Sequence, residues 1–227
     1  LPDACEAIHP TLLTWDFLQF GGPVVHSAML QELSDKMSLG ECLTLGSVIE
    51  RLANSLCTHI AYQSKVTDAF STSDDALRAG AGVCQDFAHI TLGLLRLHGI
   101  PCRYVNGYLH VENVAKPSES HAWIEVWSPT MGWVGFDPTH SCIIGQRYVV
   151  VAYGRDYSDV PPNRGIFRGA AEELLSVQVI TTPVERRERH HAASPLILEV
   201  PVFAEAPDGQ AVHELRSDEA ATQMQQQ

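Results

Sequence analysis

At Pro101 the spacing of the apolar residues changes period, and that change restricts the folds open to this 227-residue chain. Before it, Leu45, Val48, Ile49, Leu52, Leu56 and Ile60 follow the i, i+3/i+4 rule of a helix that buries one face, with Tyr62 just past its end. A second helix is expected from near Cys84 to His98. It is apolar nearly all round (Phe87, Ala88, Ile90, Leu92, Leu94, Leu95, Leu97), as a central buried helix must be, and Gly99 followed by Pro101 marks its end. Beyond Pro101 the period falls to two. Arg103 to Leu109, His121 to Trp127 and Trp133 to Asp137 read as strands, with 128–132 as the turn between the last two, and further strands are expected at Tyr148 to Ala152 and Leu174 to Thr181. Helices first and sheet afterwards is an α+β order rather than alternating βαβ.

The remaining segments are punctuated by turn and cap residues. Pro2, Pro10 and Gly21-Gly22-Pro23 make residues 1 to about 30 read as irregular chain lying on a body. Ser73 followed by Asp74 and Asp75 reads as the N-cap of a short helix that Gly80 stops. After Pro183 the composition shifts to a solvated charge run, Glu185 to His191, then an expected strand at Leu196 to Phe203 and a Gln-rich end expected to be disordered. The expected organisation is an N-terminal extension or linker (1–42), a catalytic core (43–181) and a C-terminal extension (182–227).

Composition excludes some partners. With 45% hydrophobic residues the chain can bury one substantial core, but 27 acidic against 15 basic residues leave a net charge of −12, which argues against binding a phosphate backbone. No apolar run approaches the ~20 residues of a membrane helix, and Leu1 to Cys5 lacks the basic and apolar regions of a signal peptide. The expectation is a cytoplasmic protein with neither nucleic acid nor membrane as partner. Its six cysteines form no Cys-x-x-Cys pair and no cluster with His at zinc spacing, so neither a disulfide framework nor a metal is expected. Cys57, on the apolar helical stripe, and Cys102, at the start of a strand, read as small buried hydrophobes.

Cys84 differs from these. It stands where Gly80, Gly82 and Val83 pass into the central helix, at the positive end of the macrodipole, which favours a thiolate. A thiol nucleophile needs a base, and the base needs an orienting carboxylate. His89 points elsewhere, about 140° round the helix at ~100° per residue. Asp86 is better placed to complement the helix N-terminus. If Trp127 pairs with Trp133, Trp123 faces Asp137, and His121 lies one diagonal step from it on the same face, roughly 7–8 Å between backbones and within reach of imidazole and carboxylate. A one-residue slip would separate them. Glu125, the rival carboxylate, is about 13 Å along the strand from His121. His140, the rival base, falls in a loop after Pro138. The reading is a Cys84-His121-Asp137 triad for acyl chemistry.

Four blocks in order carry a resemblance: Gly82-Val-Cys-Gln-Asp-Phe-Ala-His89, Gly99-Ile-Pro-Cys-Arg-Tyr-Val-Asn-Gly-Tyr108, His121-Ala-Trp-Ile-Glu-Val-Trp127 and Gly132-Trp-Val-Gly-Phe-Asp-Pro-Thr139. Together with the segment from Tyr153 to Gly165, they resemble bacterial members of the transglutaminase-like superfamily over about residues 43–181. The resemblance implies a papain-like α+β fold in which Cys84 on the central helix faces an antiparallel sheet carrying His121 and Asp137. It implies Tyr62 as an oxyanion donor beside the Cys84 backbone N–H, although Tyr62 reads equally as a packing residue. Trp123 is expected to contact substrate. Relatives often carry an N-terminal β domain, for which 1–42 is too short, so the chain reads as a fragment or a trimmed member. No Asp-x-Asp-x-Gly calcium loop is present, and neither metal nor cofactor is expected. The expected activity is acyl transfer or hydrolysis at a peptide or protein carboxamide, with an amine or water as acceptor. A peptidase or amidase acting on small or cell-wall peptides, and a non-catalytic binding module of the same fold, stand as alternatives; the oligomeric state is left open.

Overall fold

The computed structural model describes residues 14–110, 120–161 and 179–181. Helices lead: α1 (Ala28–Lys36), α2 (Leu45–His59), α3 (Ser73–Ala79) and α4 (Cys84–Leu97). Between them β1 (Ala61–Tyr62) and β2 (Ala81–Gly82) form a two-residue parallel pair. Then come β3 (Cys102–Leu109), β4 (Ser120–Ser128), β5 (Gly132–Asp137), β6 (Cys142–Ile143) and β7 (Tyr148–Gly154), an antiparallel sheet in the order β6-β5-β4-β3-β7. This is the α+β architecture expected from the change of period. The expected strand at Leu174 to Thr181 falls mostly outside the described residues, and the one at Leu196 to Phe203 lies wholly outside them.

The central helix is buried from Gln85 to Arg96. One face of the sheet packs on it: Tyr104, Ala122, Ile124, Val126 and Phe136 belong to the same core as Phe87, Ile90, Leu94 and Leu95. α2 adds Val48, Leu52 and Leu56 from behind a Thr44–Ser47 capping box. α1, which the reading of irregular chain to about residue 30 overlooks, starts at Ala28 behind Ser27, whose hydroxyl accepts the Leu30 N–H. Leu30 and Leu33 are buried, and α1 approaches α4 at Gly93, where any Cβ would press on the Leu30 side chain.

Two local expectations need correction. The N-cap of α3 is Thr72, not Ser73: its hydroxyl accepts the Asp75 N–H while Asp75 reaches back to the Thr72 N–H. Ser73 is drawn inward instead, bonding Pro23 and Val25 through its own N–H and hydroxyl. Cys57 is exposed rather than buried, because α2 turns Leu52 and Leu56 inward and its sulfur lies toward Ser141 at 3.6 Å. Cys102 is fully buried as expected, and burial pushes its thiol up to about 11.

The hairpin β4–β5 has the register that joins His121 to Asp137. Trp127 faces Trp133 and Ile124 faces Phe136, and Gly132, at φ +74°, closes the turn. On the sheet face away from α4, Arg103 bonds Glu125 at 2.6 Å and lies over the Trp133 and Tyr153 rings. The 3₁₀ turn Trp15–Leu18 covers part of that face through Phe17, edge-on to Trp133. β7 is an outer strand with Val149, Val150, Val151 and Tyr153 exposed.

Candidate active site

Cys84 is the first residue of α4, partly buried, and two carboxylate-bearing turns decide what surrounds it. Asp86 folds back to accept the Val83 N–H at 2.7 Å and the Thr67 hydroxyl at 2.7 Å, as an acid three residues into a helix can. Burial raises its carboxyl above the ordinary value, against the pull of those two donors. Gly82 makes this turn feasible, since a Cβ there would overlap the Asp86 side chain. Gln85 ties the Ala69 carbonyl at 3.2 Å, so both neighbours on the helical side of Cys84 anchor the loop between β1 and α3.

His121 and Asp137 meet at the end of the hairpin. Nε2 of His121 donates to Oδ2 of Asp137 at 2.7 Å, with His121 7% exposed and Asp137 not at all. Burial alone would lower the imidazole; hydrogen bonds to Asp137 and Cys84, and the charges of both, outweigh it and raise the group to about 9. With Nε2 committed to Asp137, Nδ1 is the nitrogen left for Cys84. The structure thus brings the three expected residues together as a thiol, an imidazole inclined to carry the proton, and an anion.

Asp137 is held more elaborately than the sequence suggests. Oδ1 accepts the backbone N–H groups of Thr139 and His140, and Oδ2 accepts from His121, His140 Nδ1 and the Tyr148 hydroxyl, the last at 2.8 Å. Burial works against ionisation, yet five donors hold the carboxyl far below its usual range. His140, weighed only as a rival base, is therefore a partner of the same oxygen. The Asp-Pro-Thr-His order carried a signal for it, because an Asp ahead of a turn commonly accepts the N–H groups two and three residues on. Tyr148 reaches the site from β7, at a sequence distance that no spacing rule bridges. Glu125, the rival carboxylate, is occupied by Arg103.

His121, Asp137 and His140 stand close enough together to suggest a metal triad. An ionised carboxylate can only accept, so in the arrangement seen both ring nitrogens donate to Asp137 and the three groups are joined by hydrogen bonds.

Trp123 is not where substrate contact requires it. Its ring is 0% exposed, stacked with His121 at 6.2 Å and edge-on to Tyr148 at 5.3 Å. It lies over Gly107, where a Cβ would strike both the indole and the Val149 carbonyl. A buried ring supports His121 rather than offering a face to a ligand. Tyr62 pairs with Gly82, two residues before Cys84, with its side chain exposed and its ring 6.2 Å from Phe87. His89 is fully buried, and burial lowers it to about 3.

Known proteins resemble the chain over this core. A family description, the transglutaminase-like superfamily, matches residues 32–138. An uncharacterized protein of Mycobacterium leprae is 48% identical over 126 residues, covering 53% of this chain and 44% of its own. A protein-glutamine gamma-glutamyltransferase of Pseudomonas aeruginosa is 33% identical over 81 residues, 33% of this chain and 12% of that one. The crystal structure of a candidate cysteine protease from Cytophaga hutchinsonii superposes with a TM-score of 0.60 at 28% identity, covering 70% of this chain and 53% of that one. The chain spans about half the length of the mycobacterial relatives it matches.

Proposed function

The chain carries a transglutaminase-like core, and from that premise we propose that it is a cysteine-dependent enzyme that opens a carboxamide through a thioester on Cys84. The observation that carries this reading is the continuous set Cys84, His121, Asp137, in which the anion fixes the imidazole and the imidazole meets the thiol. Cys84 Sγ attacks the carboxamide carbon as the C=O opens to an oxyanion. The Cys84 backbone N–H and the Tyr62 phenol are the proposed donors to that oxygen. On collapse the C–N bond breaks, the His121 imidazolium protonates the departing nitrogen, and ammonia or an amine leaves. An incoming amine or water, deprotonated by the now neutral His121, attacks the thioester and releases Cys84. Asp137 stays ionised throughout.

The named activity of the Pseudomonas aeruginosa relative favours a glutamine side chain as donor and an amine as acceptor. The description of the Cytophaga hutchinsonii structure favours hydrolysis of a peptide bond as the second reading. Incubation with a glutamine peptide and a labelled primary amine separates them. Incorporated label supports transfer, and ammonia or new carboxylate without label supports hydrolysis. Neither product from a folded protein whose Cys84 can still be alkylated would leave a binding module as the surviving reading.

A further inference from the structure

Two imidazoles share one carboxylate oxygen. His121 Nε2 and His140 Nδ1 each lie 2.7 Å from Asp137 Oδ2, with their ring centroids 5.1 Å apart. The two rings differ in access: the His121 side chain is 7% exposed and that of His140 is 52% exposed, over a carboxylate that solvent does not reach. The backbone of the 137–140 turn is already anchored by Oδ1, so the His140 side-chain bond is not needed to form the turn.

We propose that His140 is a positioning residue of the reaction, a second imidazole that divides the Asp137 charge with His121. This rests on the cysteine-enzyme reading above. With Nδ1–H on Asp137 Oδ2, His140 takes part of the charge of the oxygen that holds the His121 imidazolium, and without the ring His121 has a larger share. The other groups in reach hold their charge. Asp137 on β5 stays ionised. Burial, then Cys142 on β6 and Asp137, push the Tyr148 phenol on β7 far above its usual range, so it remains a neutral donor. Cys84 on α4 faces His121 from the opposite side. Trp123, stacked on His121, carries no charge.

The test uses the full chain and its His140→Leu and His140→Gln variants. Two profiles are recorded against pH: kcat/KM with the glutamine peptide, and the rate of Cys84 alkylation by iodoacetamide, assigned by mass mapping because Cys57 is also exposed. His140→Leu is expected to move the alkaline limb of both profiles upward by about half to one pH unit, as the gain of a nearby undivided charge does. His140→Gln, which can restore a neutral donor, should return that limb toward the original. Folded variants whose profiles superpose on that of the unaltered chain overturn the proposal. If His140→Leu does not fold, His140→Phe, which keeps a ring without the donor, takes its place, and a folded His140→Phe whose profiles superpose on those of the unaltered chain overturns the proposal equally. A shifted alkylation profile without turnover upholds the role of His140 while removing the carboxamide reaction.

Discussion

The Asp137 carboxylate organises the site through five donors, which makes its replacement more informative than that of the thiol. In Asp137→Asn the amide keeps one accepting oxygen, and its NH2 then confronts groups that were donors. His121 can answer only by becoming an acceptor at Nε2, which places its hydrogen at Nδ1, toward Cys84, the wrong tautomer for a base. Turnover should fall on the order of 10⁴-fold, as in serine-protease triads, with stability lowered by about 1–3 kcal/mol for imperfectly satisfied buried donors. Glu125→Gln should leave turnover near its original value, since Glu125 answers Arg103. Steady-state kinetics with urea melts of both variants check this. The pH dependence of stability has two sides. His121, raised to about 9 from 6.5, contributes fully below 6.5 and loses its contribution as pH rises through 9. His89, lowered from 6.5 to about 3, contributes fully above 6.5 and loses its share as pH falls toward 3; Asp137 adds a loss below 3.8. Melting temperature should therefore peak near pH 6.5, and His89→Gln should flatten the limb between about 4 and 6.5. An unchanged limb in a folded His89→Gln variant would show that the buried imidazole is not what acid attacks.

Elements with a clear period were legible in the sequence: α2, α4 and the β4–β5 hairpin announce themselves by spacing, and the hairpin register follows from pairing two tryptophans across a five-residue turn. What period cannot say is whether a sheet face is covered. Trp123 shares a face with His121 in any correct register, yet its complete burial comes from Tyr148 and the neighbouring strands, which lie far away in sequence. Two-residue strands such as β1, β2 and β6 are too short to show a period. Thr72 and Ser73 are adjacent hydroxyls, and only the reach of Asp75 decides which one caps. Gly107 tests the packing directly. A methyl there meets the Val149 carbonyl and the indole together, at a β3–β7 irregularity between Asn106 and Gly107, so Gly107→Ala should cost about 1–3 kcal/mol as overpacking does. It should also reduce turnover by tilting Trp123 beneath His121. Urea denaturation and kinetics on the refolded variant measure the two effects, and a loss of stability without loss of turnover would remove Trp123 from the support of His121.

On the scale of the whole molecule, Arg96 is the tie between distant segments. It is 4% exposed, and its guanidinium donates to the carbonyls of Gln19, Cys102 and Arg155, joining the N-terminal turn, the start of β3 and the end of β7. The surface chemistry is set by composition: twelve of the fifteen cationic residues are arginines, since the lysines are Lys36, Lys65 and Lys116. Lys36 is paired with Glu32. Few primary amines are thus available as acceptors, and a transferase of this composition should cross-link itself poorly. Gel and mass analysis without added acceptor checks this, and efficient self-polymerisation would contradict it. The fold also distributes the chemistry across two layers. Cys84 is placed by a helix that can form from local contacts, whereas His121 and Asp137 are placed by a hairpin that has to dock on it. A chain with its helices formed and its sheet undocked would therefore hold a cysteine without its imidazole. On the proposed reading, such an unfinished molecule would be its own safety catch, without the means to form a thioester on Cys84 until the two layers meet.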